Sequence, residues 1–146
     1  MKRSKKRSES NSTSKQPDPV FFVDECLGTV KVPAALRAAG VTVKTLADVF
    51  APGIKDVDWL AALTGRDWIV LTKDKNIRRR PLEAQALAAA NLRVFVVTAT
   101  DLTGDETAAV LVAALPRIRR FCKKNRPPFI AGITRMSQVT LLEIKN

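Results

Sequence analysis

The sequence predicts an α/β fold, a three-layer α/β/α sandwich with a mainly parallel central sheet. Short apolar runs of strand length alternate along the chain with segments that have the length and composition of helices. The run from Trp68 to Leu71 is rich in β-branched and aromatic residues, which is typical of a strand buried on both faces of a parallel sheet. With 146 residues, 46% of them apolar, the chain can bury one full core.

Strands are predicted wherever four to six mainly apolar or β-branched residues occur together. The predicted strands are Val20 to Val23, Val41 to Lys44, Trp68 to Thr72, Arg93 to Thr98, Phe129 to Thr134 and Val139 to Glu143. The last two could equally form a hairpin.

Helices are predicted between these strands from their start and stop residues. They are Pro33 to Ala39, Lys55 to Thr64, Leu82 to Ala90 after Pro81, and a long helix that ends at about Lys124. The long helix should begin at Thr103, because Glu106 follows at the spacing of a capping box. Pro116 predicts a kink in it or a break into two helices. Residues 49 to 53 should form a loop.

The net positive charge of the chain comes from three segments. The net charge is +11, but residues 1–18, 73–80 and 117–126 carry +4, +4 and +6, which leaves −3 for the remainder. Residues 1–18 cannot offset the entropy of ordering, so we predict a disordered basic tail before one domain at 19–146. Acidic residues framed by basic surfaces suit a protein that binds phosphates and acts on them through carboxylates.

Several classes of active site are excluded by composition. The chain has no histidine and only two cysteines, which excludes Ser-His-Asp and Cys-His catalysis and zinc sites built from His or four Cys of one chain. Its six glycines do not have the spacing of a dinucleotide-binding motif or a P-loop. Without a secretory signal or a run of about 18 apolar residues, the expectation is a reduced cytoplasmic protein with no membrane span.

Four acids are candidates for a metal site. Asp24 and Glu25 follow the first predicted strand, Asp74 follows the strand at Trp68 to Thr72, and Asp56 opens a helix. Ligands of open α/β sheets bind at the carboxyl ends of the strands. If the first strand and the strand at Trp68 to Thr72 lie near one another in the sheet, Asp24 and Asp74 converge there, and a helix packed over that end can aim Asp56 at them. Crowded carboxylates repel unless a cation lies among them, and oxygen ligands suit Mg²⁺ or Mn²⁺. Taken alone, Asp56 could simply stabilise its helix dipole.

Basic residues next to Asp74 are candidates for phosphate binding. They are Lys73, Lys75, Arg78, Arg79 and Arg80. They could also form an ordinary solvated turn before Pro81. Thr98 is a candidate hydroxyl donor to the same crevice, because it ends another predicted strand.

A second basic cluster lies near the end of the long predicted helix. It contains Arg117, Arg119, Arg120, Lys123, Lys124 and Arg126. A solvated helix face is the first interpretation, and a docking surface for an acidic partner or RNA is the second.

Three short motifs resemble the PIN-like nucleases related to VapC toxins. They are Phe-Phe-Val-Asp-Glu at 21–25, Lys-Asp-Val-Asp-Trp-Leu at 55–60, and Val-Leu-Thr-Lys-Asp-Lys at 70–75 with its Arg-Arg-Arg-Pro tail. The resemblance covers residues 20 to about 143 and leaves the basic tail outside.

The resemblance implies a metal-dependent ribonuclease, one half of a toxin–antitoxin pair. Its acidic cluster would be Asp24, Glu25, Asp56 and Asp74, of which we expect Asp24, Asp56 and Asp74 to be catalytic. Asn76 replaces an acid that many relatives have two residues after the strand-end aspartate, which leaves open whether one or two metal ions bind. Expected partners are RNA and a cognate antitoxin protein, with a homodimer left open.

Two other functions fit part of the sequence. In a response-regulator-like phosphoacceptor switch, Asp24, Glu25 and Asp74 would hold Mg²⁺ and accept phosphate. Such domains need a lysine at the end of the last strand, usually before a proline, and the last predicted strand does not end in one. A non-catalytic basic RNA-binding module would explain the charge but not the acids that directly follow buried strands. A labelled RNA, with and without Mg²⁺, separates all three functions, because the nuclease cleaves it, the switch does not interact with it, and the RNA-binding module binds it without cleavage.

Overall fold

The computed structural model describes residues 19–142 of the chain. The expected disordered tail and the predicted strand end at Glu143 lie outside this range. Within it, helices cover both faces of a single six-stranded sheet. The predicted α/β/α architecture is therefore confirmed.

The sheet has one antiparallel strand at its edge and is otherwise parallel. Its strands are β1 (Val20–Val23), β2 (Thr42–Thr45), β3 (Ile69–Thr72), β4 (Arg93–Val97), β5 (Phe129–Ile133) and β6 (Val139–Leu142). Their spatial order is β2-β1-β3-β4-β5-β6, and only β6 runs antiparallel to its neighbour. All six predicted strands are present, with ends shifted by at most one residue.

Five α-helices connect the strands. They are α1 (Lys31–Ala38), α2 (Leu46–Val49), α3 (Asp56–Ala62), α4 (Pro81–Ala89) and α5 (Gly104–Lys124), and a short 3-10 turn spans Glu25–Leu27. Sequence analysis missed α2, whose four residues are too few to show helical periodicity. A capping box stabilises it, because Thr45 and Asp48 each bind the other's backbone N–H. In the described range no helix is both long and apolar enough to cross a membrane.

The long helix α5 begins as predicted but does not break. The Thr103 hydroxyl accepts a hydrogen bond from the Glu106 N–H at 3.1 Å, and the Glu106 carboxylate accepts one from the Thr103 N–H at 2.8 Å. The prediction of a break into two helices at Pro116 is wrong, because α5 continues through it. Pro116 lies on the exposed face of α5, so its ring, which removes the backbone donor to the Val112 carbonyl, does not disturb the packing of the helix against the sheet.

Two hydrophobic layers enclose the sheet, because alternate strand residues point to opposite faces. Phe21 and Phe95 pack towards α1 and α5, whereas Phe22 and Val70 pack towards α3 and α4. Each face of β3 is therefore fully covered, as a parallel strand requires. Strands β1 to β5 run in the same direction, so their carboxyl ends lie along one edge of the sheet. The candidate acids lie at this carboxyl-end edge.

Replacement of Phe22 by alanine tests this packing. Its ring is fully buried, with centroids 5.3 Å from Trp59 and 6.0 Å from Trp68. We expect Phe22→Ala to lower the free energy of unfolding by about 3–5 kcal/mol, measured by chemical denaturation. Leu82→Ala on α4 is the control, since Leu82 is 69% exposed and should cost less than about 0.5 kcal/mol. Equal losses for both variants would contradict the assigned core.

Candidate active site

The candidate acids Asp24 and Asp74 lie at the same edge of the sheet. β1 and β3 are adjacent and parallel, with Val23 opposite Leu71. The Asp24 N–H continues this ladder by donating to the Leu71 carbonyl at 3.0 Å. The two strands therefore deliver Asp24 and, two residues beyond β3, Asp74 to neighbouring positions.

One open cavity at this edge collects all four predicted acids. Its volume is about 690 Å³, and its lining residues are Asp24, Glu25, Cys26, Thr29, Asp56, Lys73 and Asp74. Asp56 reaches it from the first turn of α3, where its carboxylate accepts a hydrogen bond from the Trp59 indole N–H at 2.9 Å. Because Trp59 is fully buried, the core itself orients this carboxylate.

The buried hydroxyl of Thr72 organises the cavity floor. It donates to a carboxylate oxygen of Asp24 at 2.8 Å and accepts a hydrogen bond from the Asp74 backbone N–H at 3.1 Å. Asp24 is only 8% exposed, and Thr72 is completely buried. Sequence analysis treated Thr72 only as a strand end. A hydroxyl that closes an otherwise apolar strand just before an acid was the signal that could have identified it.

The thiol of Cys26 belongs to the same network. Its sulfur lies 3.2 Å from the Asp24 carboxylate and 3.2 Å from the Thr72 hydroxyl. Burial, assisted by the charge of Asp24, raises the pKa of Cys26 to about 11. At neutral pH this cysteine is therefore a neutral hydrogen-bond donor to Asp24 and not a thiolate nucleophile.

A further acid, Glu83, joins the site from the first turn of α4. Carboxylate oxygens of Asp56, Asp74 and Glu83 all lie within 4.8 Å of one another. Sequence analysis did not identify Glu83, because an acid in a first helical turn is ordinary. Its role becomes visible only when the turn after β3 brings the start of α4 next to Asp74.

Arg80 contacts the acids directly. One of its guanidinium nitrogens, Nη1, donates to Asp74 at 2.6 Å and to Glu83 at 3.1 Å. These hydrogen bonds, the one to Asp74 first, raise the pKa of Arg80 above its ordinary value. Asp74 also accepts the Asn76 backbone N–H at 3.1 Å. The Asp74 carboxylate is thus held from two sides.

The other predicted basic residues surround this cluster. Lys73 lines the cavity, Lys75 and Arg79 are exposed, and Arg78 is half-buried. Ile77 is buried between them and fixes their loop to the core. The structure therefore keeps this group of cations within a few residues of Asp74.

Thr98 does not lie with the other candidates. Its hydroxyl donates to the Ile133 carbonyl at 3.2 Å, and it is not one of the residues that line the cavity. β4 is separated from β1 by β3, so the end of β4 is one strand further from Asp24. Thr72 on β3 has the hydroxyl that contacts Asp24.

Comparison with known proteins found a matching family and a matching relative. Residues 19–99, more than half of the chain, match the family described as "PIN like domain". The protein named "Putative ribonuclease VapC45" of Mycobacterium tuberculosis is 35% identical over 111 residues, which cover 73% of this chain and 80% of that protein. No solved structure is a significant match. The matched family segment contains Asp24, Glu25, Asp56, Asp74 and Glu83.

Replacement of Thr72 by valine tests its organising role. The change preserves shape but removes the donor to Asp24 and the acceptor for the Asp74 N–H. We expect a loss of about 1–3 kcal/mol in the free energy of unfolding, measured by chemical denaturation. Thr140→Val, at an exposed position of β6, should be nearly neutral. A neutral Thr72→Val variant would show that the network does not depend on this hydroxyl.

Proposed function

This chain belongs to the PIN-like domain family, as its motifs predicted, and we propose that it is a metal-dependent endoribonuclease. The observation that carries the proposal is the convergence of Asp24, Glu25, Asp56 and Asp74 on one open cavity. The mycobacterial relative is named as a ribonuclease, which supports RNA as the substrate. We further propose that the protein is the toxin component of a type II toxin–antitoxin system.

The donor set of the cavity suits a hard divalent cation. Every negatively charged side chain that lines the cavity is a carboxylate, and the Cys26 thiol is protonated. Mg²⁺ or Mn²⁺ therefore fits this set of ligands better than a thiophilic metal. Ligands at about 2.1 Å from Mg²⁺ lie roughly 3–4 Å from one another. The spacing within Asp56, Asp74 and Glu83 is close to this requirement. Glu83 thus provides an additional carboxylate beside Asp56 and Asp74 in a site where Asn76 replaces an acid.

The chain's own residues would divide the work of hydrolysis. When bound, the cation supplies a water of lowered pKa and a positive charge beside the phosphodiester. Asp24 and Asp74 would hold it, because Thr72 fixes the side chain of the first and the backbone of the second. Asp56 or Glu25 would complete the ligand set or orient the attacking water. No histidine is needed for such a reaction.

Positive charge next to the cavity would hold the RNA. We propose that Lys73, Lys75, Arg78, Arg79 and Arg80 contact its phosphates. Lys75 and Arg79 are the most suitable for long-range attraction, because their side chains are exposed and make no ion pair within residues 19–142. Phosphate contacts of this kind position RNA without selecting a sequence.

The proposed toxin role determines the expected partner and cell compartment. A cognate antitoxin protein is the proposed partner, and a homodimer stays a prediction. Both cysteines are free thiols, which fits the proposed cytoplasmic location.

Asp74→Asn tests the proposed chemistry. We expect Mg²⁺-dependent cleavage of a labelled RNA to be abolished, because the amide removes a ligand charge. The asparagine carbonyl can still accept the Asn76 N–H, and the lost pair with Arg80 is partly exposed. The free energy of unfolding in EDTA should therefore fall by no more than about 1 kcal/mol.

Asp58→Asn is the matched control for this experiment. Asp58 is an exposed acid in the first turn of α3, two residues from Asp56, and it does not line the cavity. This variant should cleave RNA at the wild-type rate. Full activity of Asp74→Asn, or its gross unfolding without metal, would contradict a catalytic role for Asp74.

The double variant Lys75→Gln/Arg79→Gln tests the proposed RNA contacts. Binding would be measured in an Asp74→Asn background, so that the RNA stays intact. Each lost phosphate contact with single-stranded RNA lowers the slope of log affinity against log salt by about 0.7. We expect a slope reduced by about 1.4 and weaker binding at every salt concentration.

Arg119→Gln/Lys123→Gln removes the same charge elsewhere on the molecule. Both residues lie near the end of α5, which leads to the start of β5. They are therefore near the amino-terminal ends of the parallel strands, away from the cavity. We expect this variant to bind RNA nearly as the parent does. Equal losses for the two pairs would mean that net charge alone, and not the loop beside Asp74, attracts the RNA.

A further inference from the structure

The guanidinium of Arg80 lies inside the acidic cluster. Its Nη1 atom contacts both Asp74, at 2.6 Å, and Glu83, at 3.1 Å. These carboxylates are only 23% and 17% exposed, while the Arg80 side chain is 44% exposed. The Arg80 side chain thus extends from the surface to two acids that are largely buried.

The acids that bind Arg80 also belong to a group whose oxygens are close enough together to share a metal ion. Asp74 and Glu83, together with Asp56, form the group whose oxygens lie within 4.8 Å of one another. Without a cation, three carboxylates at this spacing would repel strongly. Arg80 supplies a positive charge at that position from within the chain.

We propose that Arg80 is the built-in counter-ion of the metal-free site, which a divalent cation must displace from Asp74 and Glu83 before the site is complete. This inference rests on the proposed metal site, and it adds that Arg80 competes with the metal ion for Asp74 and Glu83. A guanidinium and a dication compete for these carboxylates, because the two cations repel each other and each is attracted by the same negative charge.

Displacement would couple metal binding to RNA binding. While Arg80 is paired with the two acids, its charge is neutralised and offers little to a phosphate. Once released, the same side chain becomes a free cation at the edge of the cavity, and its planar fork suits a phosphate. Arg80 would therefore be a positioning residue that stabilises the metal-free enzyme and joins the RNA contacts only when metal is bound.

The backbone allows this exchange. Arg80 precedes the first residue of α4, and its carbonyl accepts the Ala84 N–H at 2.9 Å. Its side chain makes no capping bond to the helix. The guanidinium can consequently leave Asp74 and Glu83 without disturbing a helical hydrogen bond.

The test compares Mn²⁺ binding to the full chain in the absence of RNA. Isothermal titration calorimetry would be applied to the wild type and to Arg80→Gln, Arg80→Lys, Arg79→Gln and Asp74→Asn. We expect Arg80→Gln to bind Mn²⁺ about tenfold more tightly, because two ion pairs no longer compete. Arg80→Lys keeps the charge and should stay within about threefold of the wild type. Arg79→Gln controls for the loss of one nearby positive charge and should change affinity less than about twofold.

Melting temperatures provide an independent readout. In EDTA, Arg80→Gln should melt a few degrees below the wild type, because the acids lose their counter-ion. In saturating Mn²⁺ the difference should disappear, since the metal-bound forms no longer contain the Arg80 pairs. A residue with a purely structural role would lower the melting temperature equally in both conditions.

The outcomes separate this inference from the proposed function. If Asp74→Asn loses Mn²⁺ binding while Arg80→Gln binds no more tightly than the wild type, the metal site stands and the role of Arg80 is overturned. If Asp74→Asn binds Mn²⁺ like the wild type, the metal site fails and the inference fails with it. Tighter binding by Arg80→Gln that Arg79→Gln does not reproduce supports the inference.

Discussion

The hydrogen bond from the Thr72 hydroxyl to the Asp24 carboxylate, 2.8 Å long and fully buried, is the interaction on which the site depends. It joins the carboxyl ends of two adjacent parallel strands. It also stabilises the Asp24 carboxylate in a position where the residue is only 8% exposed. A buried carboxylate without such donors would be costly. The same hydroxyl accepts the Asp74 N–H, so one atom sets the positions of two candidate ligands. The packing of β3 between two hydrophobic layers is what keeps that atom in place.

The site also balances two opposing electrostatic demands. Metal binding needs several carboxylates close together, whereas a stable metal-free protein needs them apart or neutralised. Arg80 neutralises two of these carboxylates through its ion pairs with Asp74 and Glu83. The Trp59 indole and the Cys26 thiol, both neutral, hold Asp56 and Asp24 without adding charge. The strong positive field therefore comes from the loop after β3, where a phosphate backbone would approach.

Much of the fold could be predicted because the apolar composition of the strands indicates that they are buried. An apolar run such as Ile69 to Leu71 has few alternatives to a central parallel strand, and an acid just after it must lie at the sheet edge. α2 escaped prediction because its helix is stabilised by one local capping box, and the expected break at Pro116 failed because that residue faces water. The contributions of Thr72, Cys26 and Glu83 depend on contacts across 46 to 48 residues, or on the direction of a loop. A pattern along the chain does not contain such contacts, so Arg80 too could be predicted as basic but not as a partner of Asp74.

We propose that the acids at the ends of β1 and β3 form one divalent-cation site. Anomalous diffraction from crystals soaked in Mn²⁺ is the decisive measurement, because manganese is located without reference to activity. We expect a peak between the carboxylates of Asp24 and Asp74, with the Arg80 guanidinium moved away from Asp74. A manganese peak elsewhere on the molecule, with the cavity empty and Arg80 still bound to Asp74, would contradict it.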